Sequence, residues 1–122
     1  ASKIVGPENI KQIGIRSGMK EEWEFMKKHN TLIHKYSELD ELKGKKIFVT
    51  VDLDCLDPSV MPGTGTPESG GMQFNELMGW FEYLKNFDIV GADVVELAPD
   101  YDASGVSTAV ATKVIRELLM VM

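Results

Sequence analysis

Ile47-Phe48-Val49-Thr50-Val51-Asp52-Leu53-Asp54 is the stretch on which the fold turns. Five consecutive β-branched or aromatic residues predict a strand, and two carboxylates follow it at once. On an extended backbone Phe48, Thr50, Asp52 and Asp54 point to one face, while Ile47, Val49, Val51 and Leu53 point to the other. The two carboxylates would then stand roughly 7 Å apart at the rim of a buried sheet. Unpaired, they raise each other's pKa. The nearest basic residues in sequence, Lys45 and Lys46, lie toward the opposite end of the strand. A divalent cation relieves the repulsion, and all-oxygen donors favour Mg²⁺, Mn²⁺ or Ca²⁺ over zinc or copper. The alternative is that the acids cap a loop or bind water at the surface.

Outward from this strand, apolar segments alternate in type. Ile10 to Arg16 reads as a short strand and Met19 to His29 as a helix, with Glu21, Glu22 and Glu24 early and Lys27 and Lys28 late, as the helix dipole prefers. Phe74 to Lys85 has helical spacing through Phe74, Leu77, Met78, Phe81 and Leu84. Ile89 to Leu97 is a second apolar strand ended by Pro99, and Val106 to Met122 reads as a helix that Ser104 or Ser107 caps. The alternation predicts an α/β fold with a parallel sheet. In such sheets ligands sit outside the carboxyl ends of the strands.

The second strand also ends in an acid. Val90, Ala92, Val94 and Glu96 share a face, so Glu96 projects from the rim as Asp54 does, suited to hold a planar guanidinium bidentately. Asp93 points the other way and is expected to partner a backbone or basic group. Between the strands, Cys55 to Gly71 lacks periodicity but is rich in Pro and Gly, which predicts a fixed backbone path. That path is expected to hold the hydroxyls of Thr64 and Thr66 toward the mouth of a site.

Composition narrows the classes. The 122 residues suit one domain, residues 1–122. With 13 Lys plus Arg against 19 Asp plus Glu, a net charge of -6 argues against a nucleic-acid or anionic-membrane partner. One cysteine, Cys55, leaves no internal disulfide and no multi-cysteine zinc site. No apolar run approaches the ~20 residues of a membrane span. The chain reads as soluble and intracellular.

Thr50-Val51-Asp52-Leu53-Asp54-Cys55-Leu56-Asp57-Pro58, followed by Pro62-Gly63 and Gly71, resembles the third signature of the ureohydrolases, the family of arginases and agmatinases. Asp93-Val94-Val95-Glu96-Leu97-Ala98-Pro99, with Tyr101-Asp102 and Thr108-Ala109, resembles that family's last strand and closing helix, and Gly14-Ile15-Arg16 resembles the strand upstream. Pro62 to Glu68 and Pro99 to Asp102 resemble the agmatinase branch; arginases typically carry Ala at the position of Gly63 and Asn at that of Ala98. The resemblance implies a three-layer αβα fold with a parallel sheet. It also implies a dinuclear Mn²⁺ site in which Asp52 bridges both ions and Asp54 binds one, with Glu96 receiving the guanidinium and Thr66 lining the same pocket. Agmatine would be cleaved to putrescine and urea; guanidinobutyrate or arginine are the alternative substrates. A cytoplasmic homo-oligomer is the implied form.

The family's other metal ligands, in an Asp-Ala-His-x-Asp and a Gly-Gly-Asp-His motif, have no counterpart here. His29 and His34 flank the end of a predicted surface helix in no ligand context. The chain is therefore expected to be the carboxyl-terminal part of such an enzyme, lacking an amino-terminal segment and inactive alone, with no residue assigned to proton transfer. The strand at Ile13 is expected to lie away from those at Val49 and Val94. Two other enzyme classes fit less well: an aspartyl-nucleophile phosphatase expects Thr or Val at Leu56, and a sugar-nucleotide transferase gives the Pro62-Gly63-Thr64-Gly65-Thr66-Pro67 loop no role. An inert packing module is the non-enzymatic alternative.

Overall fold

The computed structural model describes residues 1–122, which divide into two units, Ala1–Glu41 and Leu42–Met122. The first unit holds a short helix Ser2–Val5 (α1), a strand Gln12–Ile13 (β1), a helix Lys20–His29 (α2) and a strand Leu32–Ile33 (β2) parallel to β1. The strand expected over Ile10 to Arg16 shrinks to two residues because Gly14 turns left-handed at φ 78°. Its partner β2 is too short to show any period. Non-local hydrogen bonds hold the pair: the Gln12 N–H donates to the Thr31 carbonyl at 2.7 Å, and the fully buried Thr31 hydroxyl donates to Gln12 Oε1 at 2.7 Å. Helix α2 begins where the Glu22 carboxylate accepts from the Met19 N–H at 2.7 Å, half of a capping box, and ends at left-handed Asn30. Of Trp23 and Met26, only Met26 is buried. A 3-10 helix, Tyr36–Leu42, follows.

In the second unit the decisive strand spans Lys46–Asp52 (β3) and pairs in parallel with Asp88–Val95 (β4). Between them lies the helix Phe74–Leu84 (α3), opened by the Glu76 carboxylate accepting from the Gln73 N–H at 2.7 Å. The helix Val106–Val121 (α4) follows β4, burying Ser107, Ala111, Val114 and Leu118 along one stripe. Helix α4 packs on both α3 and β4. Leu53, Leu56, Met61, Leu77, Phe81, Leu84, Ile89 and Val114 make the core. The register breaks between Ile47 and Phe48, where Val90 is skipped, so that Val49 and Val51 sit beside Ala92 and Val94 on the covered face. Phe48, Thr50, Asp93 and Val95 fall on the other face, which is exposed. Asp93 thus accepts from the Thr50 hydroxyl on the paired strand, not from a backbone or basic group.

The loop expected over Cys55 to Gly71 is closed at its base. Leu56 and Met72 form a parallel bridge, the Met72 N–H donates to the Cys55 carbonyl, and the Asp57 N–H donates to that of Met72, each at 2.9 Å. Gly71 is forced by this approach: a Cβ there would stand 2.5 Å from the Asp57 nitrogen. Asp57 completes the clasp. Its Oδ1 accepts from the Ser59 hydroxyl and N–H, and its Oδ2 from the Gly70 N–H at 2.8 Å, which together hold its carboxyl down to about 2. A carboxylate depressed on folding stabilises fully above its unfolded value, and that contribution fades as pH falls through the folded one. Asp57→Asn should therefore melt below wild type at neutral pH, with the gap closing on acidification from about 3.8 to about 2, as paired thermal melts would show.

Candidate metal and substrate site

Both acid-bearing segments leave the same end of the β3–β4 pair, as parallel pairing requires. Strand geometry holds only as far as Asp52. Leu53–Cys55 then forms a 3-10 turn, so Asp54 is no longer two extended residues along the strand. Its N–H donates to Asp52 Oδ1 at 3.3 Å, and Asp52 caps the turn while its carboxyl group stays beside that of Asp54. The capping role expected as the alternative is thus present, and the two carboxyl groups remain side by side. Burial raises the Asp52 carboxyl above its ordinary value, the Asp54 N–H opposes that rise, and the charges of Asp54 and Glu96 add to it.

Glu96 reaches this cluster by leaving the strand. Simple alternation would put it on the covered face with Ala92 and Val94. Instead β4 stops at Val95, and Glu96 adopts a left-handed backbone, φ 67°, rare for a side-chain-bearing residue. Its carboxylate then faces the loop, where a Cβ at Gly65 would lie 3.6 Å from Glu96 Oε2, and lies close enough to Asp52 to act on its charge. Strained backbone of this kind concentrates at functional sites.

Thr66 and Thr64 part company. The exposed Thr66 donates its hydroxyl to Asp54 Oδ2 at 3.2 Å, so it sits beside the acidic pair. Thr64 is 1% exposed and its hydroxyl has no protein partner, so it does not line a mouth as expected. His34 is exposed, and its N–H, like that of Lys35, is accepted by Glu38; His29 is half-buried with its ring 4.6 Å from that of Phe25.

The oxygen donors of Asp52 and Asp54 fit a hard divalent cation in kind. No three His, Cys, Asp or Glu side chains are grouped to hold a metal ion, so Asp52 and Asp54 offer two carboxylates and no complete coordination shell. Sequence reasoning missed the group that braces the loop. The Gly63 N–H donates to the Ser107 hydroxyl at 2.8 Å, that hydroxyl donates to Asp102 Oδ2 at 2.6 Å, and the Gly63 carbonyl accepts from the Ala98 N–H at 2.8 Å. Asp102 followed by Ser104 and Ser107 ahead of an apolar helix is a legible capping pattern; the reach to Gly63 is not. Neither serine is the N-cap, which is Gly105: Ser104 lies one residue earlier and accepts from the Val106 N–H at 3.2 Å, and Ser107 lies inside α4 with its N–H donating to Asp102.

The arginase family model matches residues 1–121. An agmatinase from Bacillus cereus is 43% identical over 126 residues, covering 96% of this chain and 43% of its own length. A Clostridium difficile crystal structure superimposes with a TM-score of 0.84 at 46% identity, over 92% of this chain and 44% of that one. The proclavaminate amidino hydrolase of Streptomyces clavuligerus does so with a TM-score of 0.77 at 30% identity, over 94% and 42%. The chain therefore has the parallel α/β fold of these proteins and spans less than half the length of each. No helix is long and apolar enough to cross a membrane.

A left-handed residue with a Cβ carries about 1 kcal/mol of strain, which glycine does not. Glu96→Gly should therefore be as stable as wild type or up to about 1 kcal/mol more so. Denaturant midpoints would check this, and a clear loss of stability would mean that the side chain itself holds the turn.

Proposed function

The chain belongs to the arginase family, and we propose that the whole protein hydrolyses a guanidino compound, agmatine, to putrescine and urea with Mn²⁺. The observation that carries this reading is the convergence of Glu96, from its left-handed backbone, on the Asp52 and Asp54 pair. The 43% identity to the Bacillus cereus agmatinase supports the choice of substrate.

Asp52 and Asp54 would hold the metal, and Thr66 orients Asp54 by donating to one of its oxygens. Bound there, Mn²⁺ supplies Lewis-acid activation of a water nucleophile. Glu96 receives the guanidinium through charge-assisted hydrogen bonds, which fix the plane of the cation and present its central carbon to attack. Holding carbon and nucleophile in one frame makes the step intramolecular in effect. Addition of water to that carbon and cleavage of the bond to the substituted nitrogen release urea and the amine. A substrate other than agmatine is the second reading, since a structure similar at 30% identity is named a proclavaminate amidino hydrolase.

The test is urea release by the whole protein, loaded with Mn²⁺, from agmatine, arginine and guanidinobutyrate in parallel. Agmatine is expected to be preferred; a several-fold preference for either other compound would replace the substrate and leave the reaction class standing. Asp52→Asn should abolish turnover. Glu96→Gln should lower kcat/KM by about one to two powers of ten, the worth of one hydrogen bond to a charged group.

A further inference from the structure

Resting on that reading of Glu96, we propose that Ser107 and Asp102 are positioning residues that set the Gly63–Thr66 loop against the end of β4, so that Glu96 and Thr66 meet one substrate in a fixed geometry.

Ser107 has no solvent exposure, yet both capacities of its hydroxyl are used. The proton goes to Asp102 Oδ2 at 2.6 Å, and the oxygen accepts from the Gly63 N–H at 2.8 Å, 44 residues away in sequence. Capping α4 needs only the Ser107 N–H, which donates to the same Asp102 oxygen at 2.7 Å. The second contact of the hydroxyl is therefore surplus to the helix and serves the loop.

Gly63 is held on its other side as well, since its carbonyl accepts from Ala98, two residues beyond Glu96. The fit is close. A Cβ at Gly63 would stand 2.8 Å from both Cβ and Oγ of Ser107, and 3.0 Å from the Asp102 Cβ. A hydrogen bond from the Thr64 N–H to the Pro62 carbonyl two residues earlier, 3.1 Å, turns the chain at this point. Just beyond it lies the working part of the loop, with Gly65 against the Glu96 carboxylate and Thr66 on Asp54. Asp102 thus orients Ser107, Ser107 places Gly63, and Gly63 places the residues that touch the acids. Neither Ser107 nor Asp102 needs to contact substrate for this role.

The experiment compares wild type, Ser107→Ala and Asp102→Asn in the whole protein, by amide hydrogen exchange over residues 63–66 and by steady-state kinetics with agmatine. Each is repeated in a Glu96→Gln background. Asp102→Asn keeps the side-chain volume and serves if Ser107→Ala does not fold, which thermal melting reports. Exchange over 63–66 should quicken about tenfold while the core of α3 is unchanged. KM should rise about five- to tenfold with a smaller effect on kcat, and most of that rise should vanish when Glu96 is already Gln. Unmoved exchange, an unmoved KM, or additive effects with Glu96→Gln in an active protein would each overturn the positioning role alone. A wild-type protein that releases no urea from any guanidino compound would overturn the functional reading and this role with it.

Discussion

Parallel pairing of Lys46–Asp52 with Asp88–Val95 is the constraint on which the site depends. Parallel strands must end on the same side, so whatever leaves Asp52 and whatever leaves Val95 emerge together. An antiparallel pair would have sent Asp54 and Glu96 to opposite rims. The pairing brings repelling carboxylates into one place, and hydrophobic burial of Val51, Leu53, Ile89 and Val114 must offset that repulsion. The skipped residue at Val90 matters equally. It sets the register that pairs Thr50 with Asp93 and leaves Val49 and Val51 facing the helices.

The longer elements were legible because local chemistry dictates them. The run from Ile47 to Val51 is β-branched or aromatic throughout, and Leu77, Phe81 and Leu84 recur at helical spacing. Both read correctly to within one or two residues. Gln12–Ile13 and Leu32–Ile33 were not legible as a pair, since two residues carry no period and their stability comes from Thr31 and Gln12 meeting across the chain. The parallel α/β class was legible from element order alone.

At the site, the identities of the acids were legible and their geometry was not. Alternation along an extended strand separated Asp52 from Asp54 and said nothing of a turn, yet the turn is what lets one aspartate cap the other's N–H. For Glu96, alternation pointed to the wrong face; the left-handed residue that corrects it has no local signature, because Glu is an unusual residue at positive φ. Ser107 and Gly63 stand 44 residues apart, and only the folded chain joins them.

The loop over the acids is pinned at several points: at Gly63 by Ser107, at Thr66 by Asp54, and at Gly70 by Asp57. Pro67, Glu68 and Ser69 form an exposed arc between the last two pins. The closure entropy of a longer arc is small, about 0.6 kcal/mol for each doubling. The arc is therefore where a lineage, or an engineer, can vary the loop by insertion while the pinned residues on either side stay where they are. Room for variation and the contacts that hold the acids are kept on separate stretches of the same seventeen-residue loop, Cys55 to Gly71.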